Sequence, residues 1–217
     1  VTVRADRLYR ADLSIDELCL VEPLTVGFHA AGRGRVMQGD VAAVIGCGGV
    51  GLGAVAGCGF REAAVIGVDV DDQKLATATM AGATHTINTA ASDLHARLAE
   101  LTGGRGPDVV MEAIGLPQTV RAAIEEVAYT GRVVYIGYAK EPVSYETRLF
   151  VQKEIDILGS RNALPYDFHA VIRMLEAGRF PVDDAVTHMV PMREAPAILE
   201  EWSREPAHFT KIIIQVE

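Results

Sequence analysis

The sequence predicts an α/β protein organised around a doubly wound parallel sheet. Two observations carry that expectation. From Val41 onward, short Val/Ile-rich runs such as "VAAVI", "AVIGV" and "RVVYI" alternate with segments of helical length. Strands apolar on both faces are those of a parallel sheet covered by helices on both sides. The stretch "AAVIGCGGVGLGAV" then joins the first such strand to the first such helix through a glycine turn, which is how a right-handed crossover unit opens.

Taken in order, "VTVRADRLYR" begins with apolar–polar alternation, an edge-strand signal, and Ser14 with Glu17 forms a capping box that starts a helix near Ile15. Pro23 is expected to interrupt that helix, leaving a second one from Leu24 to Arg33, because a first turn tolerates proline and an interior does not. The regular part follows as strand 41–45, helix 49–59, strand 64–68, helix 71–81, strand 85–88 and helix 93–101. It continues as strand 108–113, helix 117–128, strand 132–136, a loop with a short helix, and strand 155–159. Beyond Gly159 the alternation fades into helix 166–177, strand 185–190, helix 193–203 and strand 211–216, punctuated by Pro165, Pro181, Pro191, Pro196 and Pro206. This tail is expected to pack with residues 1–25 as part of a second unit.

Composition limits the function classes. At 217 residues, 49% of them apolar, the chain can bury one full core plus an appendage. No uninterrupted apolar run approaches the roughly 20 residues of a membrane helix. A net charge of −9, with no basic cluster or stripe, argues against a nucleic-acid surface. Cys19, Cys47 and Cys58 show neither metal-ligand spacing nor a disulfide framework, so a reducing, cytoplasmic setting is expected. The chain opens on Val1 with no basic-then-apolar leader, and an upstream part is expected.

Gly46, Gly48 and Gly51 fit the pattern G-x-G-x-x-G, with Gly49 and Val50 inside the same turn. In such a turn the first glycine permits the bend, the second clears a path for a pyrophosphate, and the third lets helix and strand pack closely. The helix N-terminus adds free N–H groups and a positive dipole end. Asp69 closes the next strand, near the spacing of about 20 residues at which an acidic residue meets the adenosine ribose hydroxyls. A carboxylate there accepts from a free 2′-hydroxyl and repels a 2′-phosphate, and no arginine follows, since Val70 and Asp71 come next. NAD is therefore expected over NADP. The competing reading makes Asp69 only the N-cap of helix 71–81.

The series "GCGGVGLGA", "VIGVDVDDQKL", "AGATHTIN", "GPDVVMEAIG", "GRVVYIGYA" and "KEIDILGSR" resembles the cofactor-binding half of zinc-type medium-chain alcohol and polyol dehydrogenases. "EPLTVGFHA" is similar to the sorbitol dehydrogenase branch. The resemblance implies a Rossmann domain over 26–161. It also implies that 1–25 and 162–217 are pieces of a GroES-like catalytic domain, most of which lies upstream with the zinc ligands and the proton relay. Glu22 would be a zinc-facing carboxylate, or else a solvated one. Lys74 would lie near the adenosine ribose. Ile114, Gly115, Ile136 and Gly137 would carry the nicotinamide, or else form ordinary turns, and Lys211 would approach the pyrophosphate. No catalytic residue is expected within the chain. The six histidines lack ligand spacing, Cys47 is expected to be a buried small side chain, and the methionines read as core.

The implied function is hydride transfer between a zinc-bound secondary alcohol, such as a polyol or sugar acid, and nicotinamide. A non-catalytic NAD-sensing module and a zinc-free quinone reductase of the same superfamily are the alternatives. "EPL" argues against the first and Asp69 against the second. Strand 155–159 ends the expected sheet without Pro or Lys inside it, so its edge is expected to pair with a second copy in a homodimer or homotetramer, unless the polar 138–150 loop covers it.

Overall fold

The computed structural model describes residues 2–216. Its strands are β1 (Val41–Ile45), β2 (Ala64–Asp69), β3 (His85–Asn88), β4 (Val109–Glu112), β5 (Arg132–Tyr135) and β6 (Asp156–Gly159). All pair in parallel, in the order β3-β2-β1-β4-β5-β6. The sequence runs β1 to β3 outward in one direction and β4 to β6 in the other, which makes this a doubly wound Rossmann-type sheet with its switch point between β1 and β4. Ala42, Ala43, Val44, Val109, Val110, Met111, Val133 and Val134 lie fully out of solvent, because helices cover both faces of these central strands.

The helices are α1 (Ile15–Arg33), α2 (Gly49–Gly59), α3 (Asp72–Met80), α4 (Leu94–Thr102), α5 (Pro117–Glu126), α6 (Arg148–Lys153), α7 (Pro165–Glu176), α8 (Val182–Ala185) and α9 (Ala195–Arg204). Ser14 and Glu17 form the expected capping box of α1. The Ser14 amide and hydroxyl hold the Glu17 carboxyl below its ordinary range.

The expected break at Pro23 does not occur. α1 runs through it as one helix, and packing gives the reason. A Cβ on Gly27 would lie 2.0 Å from the Ala54 amide nitrogen, and one on Gly53 would lie 2.8 Å from the Leu24 carbonyl oxygen, so α1 and α2 touch backbone to backbone. Leu20, Val21, Leu24 and Phe28, on both sides of the proline, share the core beneath this contact. Burying four such side chains, at about 1.5–3 kcal/mol each, outweighs the roughly 3 kcal/mol that an interior proline costs.

The start of the chain also differs from expectation. Thr2–Arg4 form no strand, and a 3-10 turn spans Ala5–Arg7; Val1 lies outside the described residues. Without a neighbouring strand to pair with, alternation over so few residues finds no partner. At the other end, β7 (His188–Pro191) starts later than the expected 185–190 because α8 takes up Val182–Ala185. β7 pairs in parallel with β8 (Ile212–Gln215) as a separate two-stranded sheet. α7 buries Val171, Ile172, Met174 and Leu175 in the cluster that also holds α1 and α2. A His29 Nδ1 to Asp167 Oδ2 contact of 3.0 Å ties α7 to α1. Among the described residues, no helix is long and apolar enough to cross a membrane.

Candidate functional site

The carboxyl end of β1 turns through Gly46, whose φ of +96° suits glycine. Its N–H donates to the Val68 carbonyl at 2.8 Å, tying the turn to β2. The three motif glycines have distinct surroundings. A Cβ on Gly46 would lie 2.5 Å from the Ile114 side chain, and one on Gly51 only 1.7 Å from the Gly46 carbonyl oxygen. At Gly48, the N-cap of α2, a Cβ would meet nothing within 4 Å. Two of the three are thus required by the fold itself, while the third opens onto free space.

Gly49, Val50 and Gly51 form the first turn of α2, whose first helical bond runs from Leu52 N–H to the Gly48 carbonyl. Amides before that bond have no partner inside the helix, and Gly48 supplies no side-chain cap. These donors and the positive dipole end lie beside the space that Gly48 leaves open, the arrangement by which a helix N-terminus can take up an anionic phosphate. The segment before β8 passes over this space. A Cβ on Gly49 would stand 3.2 Å from the Thr210 carbonyl, which brings Lys211 next to the turn. The Lys211 carbonyl accepts from the Thr187 and His188 amides.

Asp69 ends β2 with its carboxylate turned back to the glycine turn. Oδ2 accepts from the Cys47 N–H at 2.8 Å, and Oδ1 accepts from the Val70 and Asp71 amides at 2.7 and 3.2 Å. The cap of α3 is Asp71, which accepts from the Lys74 amide at 2.9 Å, so the capping reading of Asp69 does not hold. Lys74 lines a small cleft with Asp71, Thr77, Asp184, His208 and Thr210. Cys47 is fully buried as expected. Burial, and then the nearby charge of Asp69, push its thiol up to about 12, so it is no nucleophile.

Across the switch point, the turns after β4 and β5 interlock. Gly115 has φ +82°, and a Cβ there would lie 2.7 Å from the Tyr138 carbonyl. One on Gly137 would lie 2.4 Å from the Gly115 amide nitrogen. Beside them a cavity of about 540 Å³ is lined by Val26, Ile136, Tyr138, Ser160, Arg161 and Asn162. Gly46, Gly48, Gly51, Asp69, Ile114, Gly115, Ile136 and Gly137 therefore gather along the carboxyl ends of β1, β2, β4 and β5.

Glu22 lies in α1 four residues before Val26, which lines this cavity. It is exposed on α1, and the described residues contain no group of three or more His, Cys, Asp or Glu able to hold a metal ion. The residues present do not fit a zinc centre by themselves.

Sequence reasoning did not single out Glu112, a fully buried carboxylate at the end of β4, although an acid closing the run "VVME" is a visible signal. It also gave no role to Ser160, Arg161 and Asn162, which the loop after β6 brings to the cavity, although Ser160 and Arg161 close the run "KEIDILGSR".

Comparison with known proteins fits this geometry. The zinc-binding dehydrogenase family model matches residues 49–177, more than half of the chain. The chain belongs to the zinc-binding dehydrogenase family. Among its relatives, an erythritol/L-threitol dehydrogenase of Mycolicibacterium smegmatis is 34% identical over 84% of this chain and 51% of its own length. A D-xylulose reductase of Saccharomyces cerevisiae is 30% identical over 94% of this chain and 59% of its own. Among solved structures, an Escherichia coli oxidoreductase of unknown specificity superposes with a TM-score of 0.86 at 30% identity, covering 91% of this chain and 57% of that one. The chain thus spans between half and three fifths of the length of these relatives.

Proposed function

We propose that this zinc-binding dehydrogenase chain holds NAD for hydride transfer to and from a polyol, sugar acid or related secondary alcohol. The observation that carries the reading is the cradle itself: an unfilled space at Gly48, uncapped α2 amides, and the Asp69 carboxylate anchored beside them. The pyrophosphate lies over Gly48–Gly51, near Lys211. The adenosine ribose meets Asp69 and Lys74, and the nicotinamide rests on Ile114–Gly115 and Ile136–Gly137 against the cavity. The chemistry NAD supplies when bound is acceptance or donation of a hydride. This chain's part is to fix the dinucleotide and to shield its reactive end with Ile136 and Tyr138. Polyol and sugar oxidoreductases among the relatives support the substrate class.

The two-stranded β7–β8 sheet, separate from the six-stranded one, supports a second unit towards the C-terminal end beside the dinucleotide domain, while the bounds 1–25 and 162–217 rest on the resemblance alone, because the continuous α1 and α7 share one core with α2. In that arrangement Glu22 faces a zinc whose other ligands come from outside this chain. The free thiols Cys19, Cys47 and Cys58 fit a cytoplasmic setting. Titration of the 217-residue chain with NADH, followed by fluorescence, is expected to show one saturable site, and metal analysis of the same sample no stoichiometric zinc. Absence of NADH binding contradicts the cofactor reading, and one tightly held zinc per chain contradicts the ligand assignment.

The open edge of β6 supports a dimer. Ile157 is 38% exposed there, and the Asp156 and Ser160 amides donate inward to Gly131 and Tyr135 carbonyls. By the alternation of a parallel ladder, the Ile157 and Gly159 amides point outward. A second copy adding its own β6 satisfies those donors symmetrically. Ile157→Pro deletes an outward donor and leaves the β5 ladder intact. Light scattering is expected to report a dimer for the parent chain and a monomer for the variant; equal mass for both places the interface elsewhere.

A further inference from the structure

Glu112 is the one acid in β4, following Val109, Val110 and Met111, and it is fully buried. A buried carboxylate is costly unless its oxygens are hydrogen-bonded. Oε1 meets that requirement three times over. It accepts from the Ile114 amide at 2.9 Å, the Gly115 amide at 2.8 Å and the Thr119 hydroxyl at 2.7 Å. The main-chain carbonyl of the same residue accepts from the Ile136 and Gly137 amides at 2.8 and 3.0 Å. One residue therefore holds both strand-end turns, the one after β4 through its side chain and the one after β5 through its backbone.

Oε2 is buried and has no hydrogen-bond partner among the described residues. It packs against Gly137, where a Cβ would come within 2.8 Å of it. An apolar residue of similar size would fill this position but would leave the Ile114 and Gly115 amides of the tight turn without an acceptor.

We propose that Glu112 is a positioning residue for the nicotinamide end of the cofactor. It presets the Ile114–Gly115 and Ile136–Gly137 turns as one rigid seat, so that the ring docks without first ordering them. The adenosine end is fixed separately, by the Asp69 bonds to Cys47, Val70 and Asp71. The proposal rests on the dinucleotide reading given above, and it predicts an effect confined to one half of the ligand.

The test compares NADH with ADP-ribose, which lacks the nicotinamide, on the 217-residue chain. The parent chain is expected to bind NADH more tightly than ADP-ribose. Glu112→Leu removes all the side-chain acceptors, and Glu112→Asp shortens their reach while keeping the charge. In both, NADH affinity is expected to fall about tenfold or more, the scale of losing hydrogen bonds to a charged group, with ADP-ribose affinity changed less than about twofold. Glu112→Gln retains an acceptor for the Ile114 and Gly115 amides and is expected to restore NADH binding to within about threefold of the parent. Circular dichroism checks that each variant is folded, and the Asp variant serves if the Leu variant is not. A parallel fall for both ligands, or no fall for either, overturns the proposal. Equal affinity of the parent chain for NADH and ADP-ribose also overturns it while leaving the dinucleotide reading in place. Binding of neither ligand by the parent removes the dinucleotide reading itself.

Discussion

NADH is expected to bind this chain at least about a hundredfold more tightly than NADPH, and Asp69 is the residue expected to set that ratio. Its carboxylate cannot turn away from an incoming 2′-phosphate, because both oxygens are engaged by the Cys47, Val70 and Asp71 amides. A phosphate of charge near −2 placed about 5 Å from a fixed carboxylate, at an effective dielectric between surface and water values, is disfavoured by about 3 kcal/mol. The 2′-hydroxyl of NADH instead gains a charge-assisted hydrogen bond. Asp69→Ala is expected to weaken NADH binding by about 1.5–3 kcal/mol. Part of that loss comes from the buried Cys47 amide, which is left without its acceptor. Asp69→Asn removes the charge while its one amide oxygen still accepts from the Cys47 amide, the Val70 and Asp71 bonds being lost because an NH2 group cannot accept. The Asn variant is expected to stay folded and to lose most of the discrimination against NADPH. Fluorescence titration with both cofactors reads the ratio directly, and an unchanged ratio in Asp69→Asn contradicts the assignment.

The parts of this molecule that could be read from the sequence are those whose physics is local. Gly46, Gly48, Gly51 and Asp69 are legible because a tight turn, a helix start and a strand end lie within one crossover unit, so spacing along the chain maps directly onto space. The alternation of apolar strands with helices gave the sheet for the same reason. Pro23 is the opposite case. The rule against interior proline is local, and it is overridden by the contact of Gly27 with Ala54 and of Gly53 with Leu24, which no pattern within α1 reveals. Glu112 was visible as an acid in an apolar run, but its meaning depends on amides two and three residues further on folding back onto it, and on Gly137 from the next strand. Ser160, Arg161 and Asn162 reach the cavity only because β6 lies beside β5. The expected strand near the N-terminus failed because pattern alone cannot supply a neighbouring strand.

Gly48 and Gly51 are expected to respond to the same substitution in opposite ways. Gly51→Ala would place a methyl 1.7 Å from the Gly46 carbonyl oxygen and 2.8 Å from its carbon. Both are backbone atoms of the turn and cannot swing aside, so α2 must lift from the strand end. A loss of about 3 kcal/mol or more of stability follows, at the upper end for overpacked sites, and the cradle is lost with it. Gly48→Ala meets no atom within 4 Å, and its φ of −73° and ψ of −174° suit any residue. Alanine is only a poorer N-cap than glycine, so stability is expected to change by less than about 1 kcal/mol. Nothing in the chain requires glycine at this position; a ligand would. If the pyrophosphate lies against the free amides of α2, the new methyl occupies its path and lengthens charge-assisted bonds worth about 1.5–3 kcal/mol each. NADH affinity is then expected to fall between about tenfold and a hundredfold in a protein whose thermal unfolding is nearly that of the parent. Thermal denaturation and NADH titration on the two variants separate the roles. Parental NADH affinity in a folded Gly48→Ala chain shows that no phosphate approaches the turn there, and the open space at Gly48 then has some other cause.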